Sequence, residues 1–160
     1  PFADKYYLIG SSYYCHDSDD SSDLVNQFDW ASVLAAGSEQ NKTMNYTKGL
    51  IALRNSSDAF RLVTKALVDS NVSLVYPADS KTSTLTIVYE VKGNTDSSTY
   101  YVIVNADRQP VTIPVAGLDA GTVIVDDDEA GTTAVTALSG ATITNSQIVV
   151  QPLTAIIVKK

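Results

Sequence analysis

The feature that most constrains this chain is a change of apolar period near Ser70. Ahead of it, "TMNYTKGLIALRNSS" places Tyr46, Leu50 and Leu53 at i, i+4 and i+7, with Met44 and Ile51 flanking, which is one face of a helix. Beyond it, "STLTIVYEV" sets Leu85, Ile87, Tyr89 and Val91 against Thr84, Thr86 and Glu90, the alternation of a half-buried strand. "TYYVIVNA" is apolar on both sides and reads as a central strand. Further strand-like segments stand at "SLVY", "PVTIPV", "TVIVDD", "TAVTAL", "ATIT", "QIVVQ" and "TAIIVKK". Turn chemistry separates them at "KGNTDSS", "NADRQ", "AGLDAG", "DDDEAG" and "LSG". Strands this short, recurring at roughly 8–12 residues, predict a mainly β fold: an antiparallel sandwich of about eight strands.

The helix has its own punctuation. Asn41 or Thr43 is placed to cap its start, and Arg54 suits the negative end of its dipole. Gly49 costs about 1 kcal/mol in a helix interior relative to Ala, so it predicts close approach of a neighbour. A second short helical turn is expected at "SSDAFRLVTKAL", capped by Ser56 or Ser57. Residues 1 to about 42 differ in kind: they are rich in Ser, Asp and Tyr and sustain no period.

Charge and composition exclude several functions. The net charge of -7 repels phosphate backbones, so no nucleic-acid partner is expected. Cys15 is the single cysteine and His16 the single histidine, which rules out an internal disulfide and a multi-histidine metal site. No apolar run reaches the ~18 residues of a membrane span. The opening "PFADKYYLIG" lacks the basic start and apolar core of a signal peptide and fits a piece cut from something larger.

Three stretches carry a resemblance. "DLVNQFDW" is similar to the D-x-x-N-x-x-D-W element of pullulanases, the α-1,6-debranching members of glycoside hydrolase family 13. "YTKGLIALRNSSDAFRL" resembles their final barrel helix, and "YYVIVNAD" a strand of their closing sandwich. The resemblance implies the C-terminal part of such an enzyme. Residues 1–69 would be the last loop and helix of a catalytic (β/α)8 barrel, and 70–160 an all-β C-terminal domain. Its partners would be an α-glucan substrate, met through the parent enzyme, and the rest of the barrel. Localisation would be secreted or cell-surface, in a bacterium. In the family the nucleophile, the acid/base and the second aspartate of the retaining mechanism lie upstream. No catalytic residue, cofactor or metal is therefore expected in this chain, and it should be inactive alone.

The same resemblance assigns substrate contacts. Asp23, Asn26 and Gln27 would line a glycone-side subsite, since a carboxylate and amides on one loop can pair with vicinal sugar hydroxyls. The competing reading has Asp23 capping a turn and Asn26 satisfying loop backbone. Tyr13 and Tyr14 are candidates for sugar stacking or for loop packing. Two departures from the family pattern stand out: Asp19 takes the ungapped position of a family Tyr, and Gln27 stands where an Arg is common. Asp29 is placed to cap a helix starting near Trp30, with Trp30 packed on the barrel. The acidic run Asp17 to Asp23 lacks the turn glycine and closing Glu of a calcium loop and reads as solvated. "DDDE", Asp126 to Glu129, reads as a turn between strands. The alternative to a debranching-enzyme fragment is a non-catalytic carbohydrate-binding or surface module. That module needs exposed rings on one sheet face, whereas Tyr89, Tyr100 and Tyr101 lie among apolar neighbours.

Overall fold

The computed structural model describes residues 28–79 and 84–160. The chain divides into two compact units, Pro1–Asn45 and Tyr46–Lys160.

In the first unit, helix α1 spans Trp30–Leu34 and is capped by Asp29, whose Oδ1 accepts from the Ser32 N–H at 3.0 Å. Helix α2, Glu39–Ser56, begins four residues before the expected Thr43. Its cap is Ser38 rather than Asn41 or Thr43: the Ser38 hydroxyl accepts from the Asn41 N–H at 3.0 Å. Neither expected cap is free for that task. The Asn41 amide donates to the Val33 carbonyl at 2.8 Å, and the Thr43 hydroxyl donates back to the Glu39 carbonyl.

The second unit continues through the rest of α2 into a 3-10 turn, Asp58–Arg61, capped by Ser57, and helix α3, Lys65–Asn71, capped by Thr64. Among the described residues eight strands follow: β1 Val72–Tyr76, β2 Thr86–Lys92, β3 Thr99–Asn105, β4 Val111–Pro114, β5 Thr122–Val125, β6 Ala141–Thr144, β7 Gln147–Val150 and β8 Thr154–Lys159. They form a five-stranded sheet, β1-β2-β3-β8-β5, and a three-stranded sheet, β4-β7-β6, with every pairing antiparallel. The mainly β sandwich anticipated from the alternating segments is the observed fold.

Two differences have clear causes. "TAVTAL" forms no strand. It makes one backbone bond to β5, from the Val135 N–H to the Val123 carbonyl at 3.0 Å, and its neighbouring donors go to side chains: the Thr136 N–H to Glu129 at 2.9 Å and the Ser139 N–H just beyond to Asp126 at 2.8 Å. In β2 the fully buried parity is Thr86 and Val88, while Tyr89 stays 37% exposed and Leu85 61%. Simple alternation put the core on the other side because this strand carries apolar side chains on both faces, and on the second face Val91 packs on the helix-side cluster.

The five-stranded sheet is the middle layer. Its sandwich face contributes Val88, Tyr101, Ile103, Ile156 and Val158 to a core shared with Ile113, Ile148 and Val150 of the smaller sheet. Its opposite face contributes Tyr100, Ile124 and Val125 to a second cluster, closed by Leu53 of α2 and Ala59 of the 3-10 turn. β3 is buried on both sides for this reason, which is what "TYYVIVNA" encodes.

Candidate functional site

Asp23, Asn26, Gln27, Tyr13 and Tyr14 lie outside the described residues, as do Cys15, His16, Asp19 and the acidic run to Asp23. The described chain opens immediately after them. There Asp29 holds the start of α1, and the Ser32 hydroxyl and N–H draw its carboxyl below the ordinary range. Trp30 is 66% exposed, with its ring tilted against Phe28 at 4.6 Å between centroids.

The best-defined feature of the second unit is the seam between α2 and the five-stranded sheet. Tyr46, Gly49 and Leu53 recur at i, i+3 and i+7 and turn one face toward β5, β3 and the loop after β5. Leu53 is buried. A Cβ built on Gly49 would lie 1.8 Å from the Ala130 carbonyl oxygen, so the close approach expected from the glycine is present. The Tyr46 hydroxyl donates to the Asp126 carbonyl at 2.9 Å. Burial, then the nearby Asp126 and Asp127 carboxylates, push the Tyr46 pKa up.

The helical stripe differs from the one expected. Leu50 is 39% exposed and Ile51 56%, so neither is covered by the sandwich. Gly49, which no apolar count includes, marks the line of contact, and Leu50 and Ile51 beside it face elsewhere. Helix α2 therefore carries apolar side chains on two faces and has one of them covered.

Polar clamps fix the end of the helix. Ser57 and Asp58 meet the β2–β3 turn reciprocally: the Ser57 hydroxyl donates to Asp96 at 2.8 Å, while Asp58 accepts from the Asn94 and Thr95 N–H groups and from the Thr95 hydroxyl. The Thr95 hydroxyl holds the Asp58 carboxyl below its ordinary value, and the Ser57 hydroxyl does the same for Asp96. The signal for this clamp was in "SSD" and "GNTDSS", each legible as a local cap but not as partners 39 residues apart.

Asp126 was read as part of a turn, and it is one. Its buried carboxylate accepts from the N–H groups of Asp128, Glu129 and Ser139, so it organises the whole loop after β5. Among the described residues no group of three or more His, Cys, Asp or Glu is arranged to hold a metal ion. On the sandwich face, Glu90 accepts from the buried Tyr101 hydroxyl at 3.1 Å and pairs with Lys92 at 2.8 Å; Lys92 draws the Glu90 pKa down.

A helix seated by clamps and a glycine contact on a two-sheet sandwich defines a β-sandwich module with a helical layer. Comparison with known proteins agrees. The SpuA C-terminal family matches residues 71–160, and the chain belongs to that family. It is 33% identical over 156 residues to pullulanase A of Streptococcus pneumoniae, covering 92% of this chain and 12% of that protein. The crystal structure of the Group B Streptococcus pullulanase SAP in complex with maltotetraose superposes with a TM-score of 0.80 at 36% identity, over 98% of this chain and 22% of that one. A product complex of the multi-modular glycogen-degrading pneumococcal virulence factor SpuA superposes with a TM-score of 0.82 at 33% identity, over 93% of this chain and 16% of that one. The chain is thus homologous to the C-terminal module of streptococcal pullulanases and spans about an eighth of the curated relatives it matches. Among the described residues no helix is long and apolar enough to cross a membrane.

Proposed function

We propose that this chain is the C-terminal part of a pullulanase-type glycosidase that hydrolyses α-1,6 branch linkages in pullulan, starch or glycogen. Residues 1–69 are the last loop and helix of the catalytic (β/α)8 barrel of the α-amylase family, and 70–160 the sandwich that steadies it. The observation that carries this reading is the two-faced helix. A helix with Leu53 sealed against a sheet and Leu50 and Ile51 left open is built to lie between two bodies, the sandwich and a barrel. Support also comes from homologues titled as pullulanases, one with maltotetraose bound.

In this reading the loop 11–30 walls the substrate cleft. Asp23, Asn26 and Gln27 pair with glucose hydroxyls, and Tyr13 or Tyr14 offers a ring to a sugar face. The catalytic carboxylates, supplied by earlier strands, do the chemistry, with no cofactor. The parent is a bacterial enzyme exported to the medium or the cell surface, where its glucans are.

The test is the intact mass of the native gene product, with pullulan and glycogen hydrolysis assayed on it and on the 160-residue chain. A much larger, active parent beside an inert chain is the expected result. A gene product no larger than this chain would overturn the reading.

A further inference from the structure

The helix-facing side of the five-stranded sheet is only half covered. Its strand register aligns one apolar row across all five strands: Leu74, Tyr89, Val102, Ile157 and Val125. At one end Val125 is buried and Ile157 packs on the cluster closed by Leu53 and Ala59. At the other end Leu74 and Tyr89 are each 37% exposed. The next row toward the start of β2 pairs Ile87 with Val104 and Val104 with Ala155, and Ala155 is exposed.

Neither row contains a charged side chain, and the Tyr89 hydroxyl is the single polar group in them. A glycan platform needs convergent donors and acceptors, which these rows do not offer. An apolar segment laid on the sheet suits them, and the row is already used that way at its Val125 end. The relatives carry far more polypeptide than this chain, which spans 12% of pneumococcal pullulanase A and 22% of the SAP structure.

We propose that the open half of this face, centred on Leu74 and Tyr89, is a second docking surface for the preceding polypeptide of the parent enzyme, beside the one on α2. An apolar segment of that polypeptide continues the layer that α2 begins and covers the Leu74–Tyr89–Val102 end of the row. This inference rests on the reading of the chain as part of a larger glycosidase.

The experiment is thiol labelling of single-cysteine positions in the 160-residue chain and in the full-length gene product, with Cys15→Ser in each and the modified peptides identified by mass. Leu74→Cys and Tyr89→Cys probe the sheet face, Ile51→Cys probes the open face of α2, and Leu153→Cys, at a position 71% exposed, is the control. Labelling at 74 and 89 should be rapid in the short chain and slower by at least about tenfold in the parent, with 153 fast in both. Protection at 51 but not at 74 and 89 overturns this inference and leaves the proposed function standing. No protection at any of the three overturns both. Protection at 74 and 89 in the short chain that grows with its concentration assigns the face to a second copy and also overturns the inference.

Discussion

Gly49 of α2 lies against Ala130 in the loop after β5 so closely that a Cβ at residue 49 would fall 1.8 Å from the Ala130 carbonyl oxygen and 2.4 Å from its carbon. Both atoms belong to backbone, which cannot rotate away. The helix is seated on the sandwich by the absence of a side chain.

Gly49→Ala should therefore destabilise, although Ala is the better helix former by about 1 kcal/mol. Displacing the helix should cost a net ~1–3 kcal/mol, as overpacked sites do. Urea unfolding of the 160-residue chain checks this, and an increase in midpoint would contradict the contact.

Leu53 and Leu50 are one turn apart with opposite environments, 3% and 39% exposed. Leu53→Ala should cost about 2–5 kcal/mol, while Leu50→Ala should cost under about 1 kcal/mol in the isolated chain. In the parent enzyme the Leu50→Ala cost should rise, because the proposed barrel covers that face. Paired denaturation curves of chain and parent give both numbers.

Asp126→Asn keeps the shape of the side chain but turns an acceptor into a donor. The carboxylate receives three backbone N–H groups, and an amide can serve only its oxygen side. With the site fully buried, loss on the order of 2 kcal/mol is expected, together with faster amide exchange at Ser139. Unchanged exchange there would show that the loop holds without this carboxylate.

Acid should loosen the clamp at the end of α2. Hydroxyl donors favour the charged forms of Asp58 and Asp96, so both carboxyls are more acidic folded than unfolded. Their stabilisation is complete above the ordinary value of 3.8 and is lost as pH falls through their lower folded values. Asp128, raised by burial and by Asp126, works in the opposite sense: folding disfavours its charge, and protonation relieves that. Urea midpoints taken from neutral pH to below 3.8 should fall, and Asp58→Asn with Asp96→Asn should flatten the fall.

Asp23→Ala, Asn26→Ala and Gln27→Ala in the parent should each raise KM for pullulan on the order of tenfold, as lost sugar hydrogen bonds do. Thermal midpoints should hardly move, since the proposed role of each side chain is to bind sugar rather than to hold the fold. An equal loss of stability with unchanged KM would assign them to loop structure instead.

Local chemistry sets much of this fold. Period-2 segments closed by Asp- and Gly-bearing turns specify antiparallel strands, because successive side chains on a strand take opposite faces. Asp29, Ser57 and Gly49 each announced a cap or a close approach, since those roles depend on one residue and its immediate backbone. What the sequence could not decide was which face meets which layer. Thr86 and Val88, not the more regular Ile87 and Tyr89, take the sandwich core, where the Thr86 hydroxyl finds a partner in the Asn105 side chain that lies 19 residues away. The seam of α2 follows Gly49 rather than Leu50, and "TAVTAL" is a loop that sends its Thr136 N–H to the Glu129 carboxylate and its Val135 N–H to the Val123 carbonyl. Those outcomes depend on pairings between distant segments, and only the tertiary structure brings such partners together.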